Sequence, residues 1–185
     1  MRPRALVLVA AAALVLSGCG DRHLVIKVDV LSYLEDAQRH VAIAALPPGT
    51  LPAPVPIVPD QSINLLEGLG DVAEVQSVTL SFGAQVSAGS GSGTGLLRLY
   101  LSGEDIEPLT TAPVVDVPSA FAAGAPAVAN ADIACAPEVA QLFATRRLRL
   151  AVVVDSATVA PPGATGVTVS LQRLDAIVIA GRKGL

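Results

Sequence analysis

The feature that most constrains the fold is the strict alternation of apolar and polar residues in the middle of the chain. From residue 78 to residue 86, Val, Leu, Phe, Ala and Val alternate with Thr, Ser, Gly and Gln. Because successive side chains of a β-strand point to opposite faces, this period of two predicts a strand over 72–87 with one buried face. That face has to be covered by a second layer of structure.

Other segments show related patterns. Alternation predicts a strand over 24–31. For the ambiguous stretch that follows, we prefer a short turn and a strand at 40–46 over a helix opened by a capping box of Ser32 and Glu35. The Gly- and Ser-rich segment 88–95 predicts a hairpin with a solvated tip. Further strands are predicted at residues 96–101, 113–118, 148–159 and 166–180.

One segment has the periodicity of a helix. Residues 136–147 place Val139, Leu142 and Phe143 on one apolar face, and Arg146 and Arg147 stand at the C-terminal end, where basic side chains cap a helix. Many strands, one short helix and turn-rich connections predict an antiparallel β-sandwich, immunoglobulin-like or similar. A partly open β-barrel is the alternative. We expect a single domain over 24–185.

Residues 47–59 contain six prolines. Proline lacks a backbone donor and has a fixed φ, so this segment is an extended connection or a sheet edge and not a central strand. Its interspersed apolar residues favour a crossover packed against the domain over a polyproline ligand for a partner.

The first residues have the organisation of an export signal. A basic head with two arginines precedes an unbroken apolar run over 5–16. Twelve apolar residues are too few for a membrane-spanning helix, which takes about 20. The segment is therefore typical of a signal peptide.

Residues 16–19 read Leu-Ser-Gly-Cys, which resembles the lipobox of bacterial lipoproteins. The resemblance implies that residues 1–18 are removed by cleavage between Gly18 and Cys19. It also implies that Cys19 carries fatty acyl chains such as palmitate, with 19–23 as a tether. In diderm members an Asp after the cysteine retains the protein in the inner membrane, so Gly20 favours the outer membrane if the organism has one. An ordinary secretory signal is the alternative.

Composition excludes some classes of partner. After removal of 1–18, ten Lys and Arg stand against sixteen Asp and Glu, and a net charge of −6 has the wrong sign for a nucleic-acid surface. About half of the remaining residues are apolar, enough for one core.

With Cys19 lipidated, Cys135 has no disulfide partner, and its apolar neighbours predict a structural thiol rather than a reactive one.

Few residues have the spacing of a catalytic or cofactor site. The segment 89–95 lacks the lysine and the following helix of a phosphate-binding loop. His23 and His40 lack further zinc ligands at short spacing, and neither stands in a recognisable triad. The weak calcium candidates are the acidic residues that follow the strand at 96–101, which are more often solvated turns: Glu104, Asp105 and Glu107, with Asp116 and Asp132 further along.

The sequence therefore predicts a membrane-anchored lipoprotein of the cell envelope, on the periplasmic or extracellular side. Its domain is expected to be a non-catalytic binding, adaptor or structural module without a cofactor, and its expected partner is an envelope protein. A carrier of lipid or another apolar ligand between the sheets is the alternative, because the core is rich in small aliphatic residues. An envelope hydrolase is a third hypothesis.

Overall fold

A computed structural model describes residues 23–46, 49–50, 54–64, 73–145, 147–160 and 165–182. The predicted signal peptide and lipobox, including Gly18 and Cys19, lie outside these residues, as does Arg146. The described residues form ten strands: β1 His23–Asp29, β2 His40–Leu46, β3 Gly49–Thr50, β4 Val55–Ile63, β5 Ala73–Ala88, β6 Ser92–Gly103, β7 Val115–Ala122, β8 Ala127–Ala134, β9 Leu148–Val159 and β10 Thr165–Arg182.

The helical elements are short. Two 3-10 turns span Val30–Tyr33 and Pro108–Thr110, and two helices, α1 and α2, span Asp36–Arg39 and Pro137–Leu142. The predicted turn before the strand at 40–46 is the first 3-10 turn together with α1. The capping box there pairs Glu35 with Gln38, not Ser32 with Glu35.

The strands form two antiparallel sheets. The first sheet has the order β1–β10–β5–β8, and β2 pairs with β10 alongside β1, so β1 and β2 are two halves of one edge. The second sheet has the order β3–β9–β6–β7, and β4 likewise shares β9 with β3. With each divided edge counted as one strand, this is the order of an eight-stranded jelly roll. The predicted antiparallel sandwich is confirmed, with two separate sheets in place of a barrel.

The alternating residues of β5 explain why the sheets stack. Its inward side chains are all buried, with Val78 and Leu80 each 1% exposed and Phe82 2%. They meet the inward side chains of the second sheet, among which Leu99, Leu150 and Val152 have no exposed surface. Burial of each such side chain contributes roughly 1.5–3 kcal/mol, so this shared core holds the two sheets together.

The predicted hairpin around 88–95 is wrong in its pairing. β5 and β6 follow one another, but β5 pairs with β10 and β8, whereas β6 pairs with β9 and β7 in the other sheet. Alternation shows which face of a strand is buried and not which strand lies beside it. The connection is a tight turn, in which Gly91 has a φ of +68° that favours glycine.

The predicted helix over 136–147 is too long. α2 ends at Leu142, and the next side chain, Phe143, is 1% exposed in the core. The hydroxyl of Thr145 donates to the carbonyl oxygen of Leu142 at 2.6 Å and satisfies it without a further helical turn. Arg147 does not cap the helix. It forms an ion pair with Glu104.

The sequence analysis missed β8, whereas β4 lies at a sheet edge, one of the two placements expected for the Pro-rich segment. β8 was not predicted, because three of its four inward positions hold partly exposed side chains and the strand reads as a weak pattern. The Pro-rich segment contains β4, which lies at the edge of the second sheet, as proline allows. Ile57 and Val58 are its buried anchors.

Candidate functional site

The jelly roll gives the molecule two distinct ends. β1 begins at His23, which pairs with Gly181, and Gly181 pairs with Glu74 near the start of β5. β6 and β8 both run toward this end, so the segments 104–114 and 135–147 that follow them lie there. Cys19 precedes His23 by four residues. We name this the tether end, after the tether that the sequence predicts, and the opposite one the free end.

The described residues of the free end are uncharged. They lie in the connections that precede β6 and β8 and at the adjoining ends of the strands, and most of them are small. None of the described residues there carries a charge: Gly49–Thr50, Ala88–Ser92, Ala122–Ala127, Val159–Ala160 and Thr165–Gly166. In the described ranges, the charged side chains lie along the sheets, on the segment 30–39 between β1 and β2, and at the tether end.

An apolar groove of about 510 Å³ opens at the tether end. One wall comes from the end of β6 and the segment 106–114, and the other from the end of β8 and α2. The groove thus lies at the seam between the two sheets. Its larger apolar side chains are Leu101, Ile106, Val114, Ile133, Val139 and Leu142. Ile106 is 51% exposed, so an apolar occupant would cover it.

Cys135 also lines this groove. Its backbone nitrogen donates to the carbonyl of Val78 at 2.8 Å, which fixes it at the end of β8. Burial raises the pKa of the thiol to about 11, against an opposing hydrogen bond from the backbone of Leu80. Because the thiolate is the nucleophile, this environment makes Cys135 a poor one near neutral pH.

The acidic candidates are dispersed. Glu104 accepts from Arg147 at 2.6 Å, while Asp105 and Glu107 are exposed on the same loop. Asp116 on β7 pairs with Arg98 at 3.0 Å. Within the described ranges, no three His, Cys, Asp or Glu side chains stand close enough together to hold a metal ion.

Asp132 belongs to a polar network on the outer face of the first sheet. It accepts from Ser81 on β5 at 2.5 Å and lies 3.6 Å from Arg173 on β10. Arg173 also pairs with Asp175, and Asp175 pairs with Lys27 on β1. The network crosses four strands, so these side chains form cross-strand pairs that stabilise the sheet.

A second ion pair holds the edge of the other sheet. Arg149 on β9 donates its Nε to Asp60 on β4 at 2.8 Å, and its Nη2 contacts the second carboxylate oxygen. Arg149 thus contacts Asp60 with two nitrogens. Arg147 pairs with Glu104, so both of these arginines are engaged with carboxylates.

The two histidines are far apart. His23 pairs with Gly181 and His40 with Ser170, eleven residues apart on β10, a separation of roughly 36 Å at 3.3 Å per residue. The His40 Nδ1 lies 3.0 Å from the Ser170 hydroxyl on an exposed sheet face. A flat, solvated face gives a substrate no enclosing walls.

No protein-family model and no curated protein matches the chain. Among solved structures, it is similar to one described as the structure of infectious bursal disease virus Gx strain, with a TM-score of 0.40 and 12% sequence identity. The match covers 98% of this chain and 44% of that one, so the chain spans less than half of its length. The jelly-roll assignment rests on the strand order of this chain itself.

The helices in the described segments are all too short and too polar to span a bilayer.

Proposed function

We propose that the protein is a lipid-anchored jelly-roll module of the cell envelope, with a non-catalytic binding, adaptor or structural role. The observation that carries the proposal is the Leu-Ser-Gly-Cys sequence at 16–19 after a basic head and an apolar run. The first strand supports it, because β1 begins only four residues after Cys19. Four residues span at most about 14 Å, so the tether end would stand close to the bilayer.

This anchoring would orient the domain. β10 has 18 residues and runs between the two ends, which gives a length of roughly 59 Å at 3.3 Å per residue. The uncharged free end would therefore point away from the membrane and toward an envelope partner. A surface without charges offers shape and backbone groups in place of ion pairs, so its binding would depend little on salt.

The anchor is tested with a matched pair of cysteine variants. Cys19→Ala should abolish labelling by radioactive palmitate, because no acyl chain can attach. Cys135→Ala is the control, since it removes the other cysteine and should leave the labelling unchanged. A Cys19→Ala protein that is still labelled would refute lipidation at Cys19.

The role of the free end is tested by site-specific crosslinking in cells. A photo-reactive amino acid in place of Ala123, exposed at the free end, should give a discrete adduct with another envelope protein. The same residue in place of Asp105, exposed at the tether end, is the control. Adducts that form only from position 105 would contradict the proposed orientation.

The groove favours a second candidate, a carrier of lipid or another apolar ligand. Its apolar lining at the seam of the sheets is the kind of site that takes a hydrocarbon chain. Native mass spectrometry of the Cys19→Ala protein would reveal a co-purified ligand as an added mass. Recovery of the protein mass alone, after gentle purification, would count against a carrier.

A further inference from the structure

We infer that the apolar groove at the tether end holds one of the acyl chains attached to Cys19 of the same molecule. The inference rests on the lipidation proposed above and adds the place where one chain is held. It concerns the groove between the segment 106–114 and α2, and its occupant is a named part of this chain that precedes β1.

The groove is within reach of a lipid on Cys19. In the first sheet β8 is three strands away from β1, about 14 Å at 4.8 Å per strand. Ala134 at the end of β8 pairs with Thr79, five residues along β5 from Glu74 at the level of His23, which adds about 17 Å along the strands. The direct path from the start of β1 is therefore about 22 Å, taken from these two spacings.

The tether and one acyl chain cover this distance together. The four residues from Cys19 to His23 extend up to about 14 Å. An acyl chain that spans one leaflet adds about 15 Å, half of the ~30 Å hydrocarbon core. Their sum exceeds the path, so the chain can enter the groove while the backbone of β1 stays in place.

The groove suits an acyl chain chemically. Leu101, Ile106 and Val114 face it from one wall, and Ile133, Val139 and Leu142 from the other. The gain comes from covering the exposed apolar walls of the groove, such as Ile106, because an acyl chain in the bilayer is already out of water. A lipobox cysteine with three acyl chains can place one of them in the groove, because the two that stay in the bilayer give a stable anchor.

Charge around the groove favours the acyl chain on Cys19 over a free anionic phospholipid. Glu138 lines the groove, and Asp105 and Glu107 are exposed on the adjoining loop. These carboxylates disfavour an anionic headgroup. A diacylglycerol joined to Cys19 through a thioether has no phosphate, so it brings no opposing charge.

Cys135 is a built-in reporter for the test. In the lipidated protein the sulfur of Cys19 is blocked, so Cys135 is the one thiol left in the mature sequence, and it lines the groove. The rate of its alkylation by N-ethylmaleimide is measured on the lipidated full-length protein in vesicles of zwitterionic lipid. The same rate is measured on a Cys19→Ala protein that lacks residues 1–18, mixed with those vesicles. We expect at least tenfold slower alkylation in the lipidated protein.

A second reporter separates groove occupancy from cover by the membrane. Glu107→Cys in a Cys135→Ala background puts a thiol on the exposed loop at the same end but outside the groove lining. Its alkylation should change less than twofold on lipidation. Equal slowing at both positions would mean that the bilayer covers this end, and would overturn the inference.

The intact mass of the protein distinguishes failure of the groove inference from failure of the proposed lipidation. Equal Cys135 rates in a protein whose mass includes the acyl chains would overturn the groove inference and leave lipidation standing. A mass without acyl chains would overturn both. Cys19 precedes the first described strand in the sequence, so Cys19→Ala changes none of the residues that form the described domain.

Discussion

At Gly93 the strand β6 passes so close to its neighbours that a single methyl group has no room. A Cβ placed there would lie 2.5 Å from Cζ of Phe121 on β7 and would also collide with the carbonyl oxygen of Thr158 on β9. Phe121 is 4% exposed, so its ring cannot move out into water. Gly103, at the other end of the same strand, has nothing within 4 Å of its Cβ position. The two glycines therefore form a matched pair.

The structure gives the size of the effect of Gly93→Ala. Ordinary contacts of a Cβ begin at 3.4 Å, so the Phe121 ring would have to move by about 0.9 Å. Overpacking of a filled core costs about 1–3 kcal/mol, and disturbing a ladder carbonyl adds about 1 kcal/mol. We expect a loss of about 3 kcal/mol, which lowers the melting temperature of a domain of this size by about 6–12 °C.

Gly103→Ala should have the opposite sign. Its backbone is not in the left-handed region and the methyl group meets nothing, so the substitution only restricts the unfolded chain. That stabilises a protein by about 0.4–1 kcal/mol. The difference between the two variants thus isolates the close approach at Gly93 from the general effect of replacing a glycine.

Urea unfolding followed by circular dichroism measures both free energies. A Gly93→Ala protein within about 0.5 kcal/mol of the parent, the range of ordinary surface substitutions, would show that β6, β7 and β9 do not pack as described. Destabilisation of the same size by Gly103→Ala would refute the argument from local space.

Three further predictions concern the core, the polar network and the thiol. Phe143→Ala should cost about 3–5 kcal/mol in urea unfolding, because it empties a fully buried site, whereas Leu109→Ala, 48% exposed, should change little. Ser81→Ala should lower the free energy of unfolding by about 1–2 kcal/mol in the same measurement, since it removes a part-buried hydrogen bond to Asp132. An unchanged free energy of unfolding would show that the network does not stabilise the fold. The alkylation rate of Cys135 should rise tenfold per pH unit until about pH 11, the raised pKa of its thiol, and a plateau near pH 9 would contradict the burial. Because that pKa is raised in the folded state, the thiol's contribution to stability is complete below about pH 9 and is lost as the pH rises to about 11; Cys135→Ala should remove this part of the pH dependence of unfolding.

The strands themselves were largely readable from the sequence. Residues 148–159 form β9 over the predicted range, and β5 differs from its predicted bounds by one residue at each end. Alternation is a reliable signal there because every second side chain is buried against the other sheet. β8 was not predicted because its alanines, Asn130 and Asp132 give no clear contrast between an apolar and a polar face.

The alternation of residues that predicts strands could not predict the groove. Its walls come from β6, the segment 106–114, β8 and α2, which are separated in sequence and meet only in the folded chain. The sequence did single out Cys135 as a structural thiol, and its place in the groove explains the raised pKa. The ion pair between Glu104 and Arg147 joins residues 43 positions apart, beyond the reach of any local pattern.

By itself the sequence determined the sandwich class and predicted an anchored amino terminus, because burial of one face and a processing signal are both local properties. The tertiary structure decided which strands are neighbours, and it placed β5 and β6 in different sheets although a three-residue turn joins them. It also decided that the start of β1 and the groove share one end. Those facts depend on contacts between distant strands, whose partners are chosen by how the whole core packs.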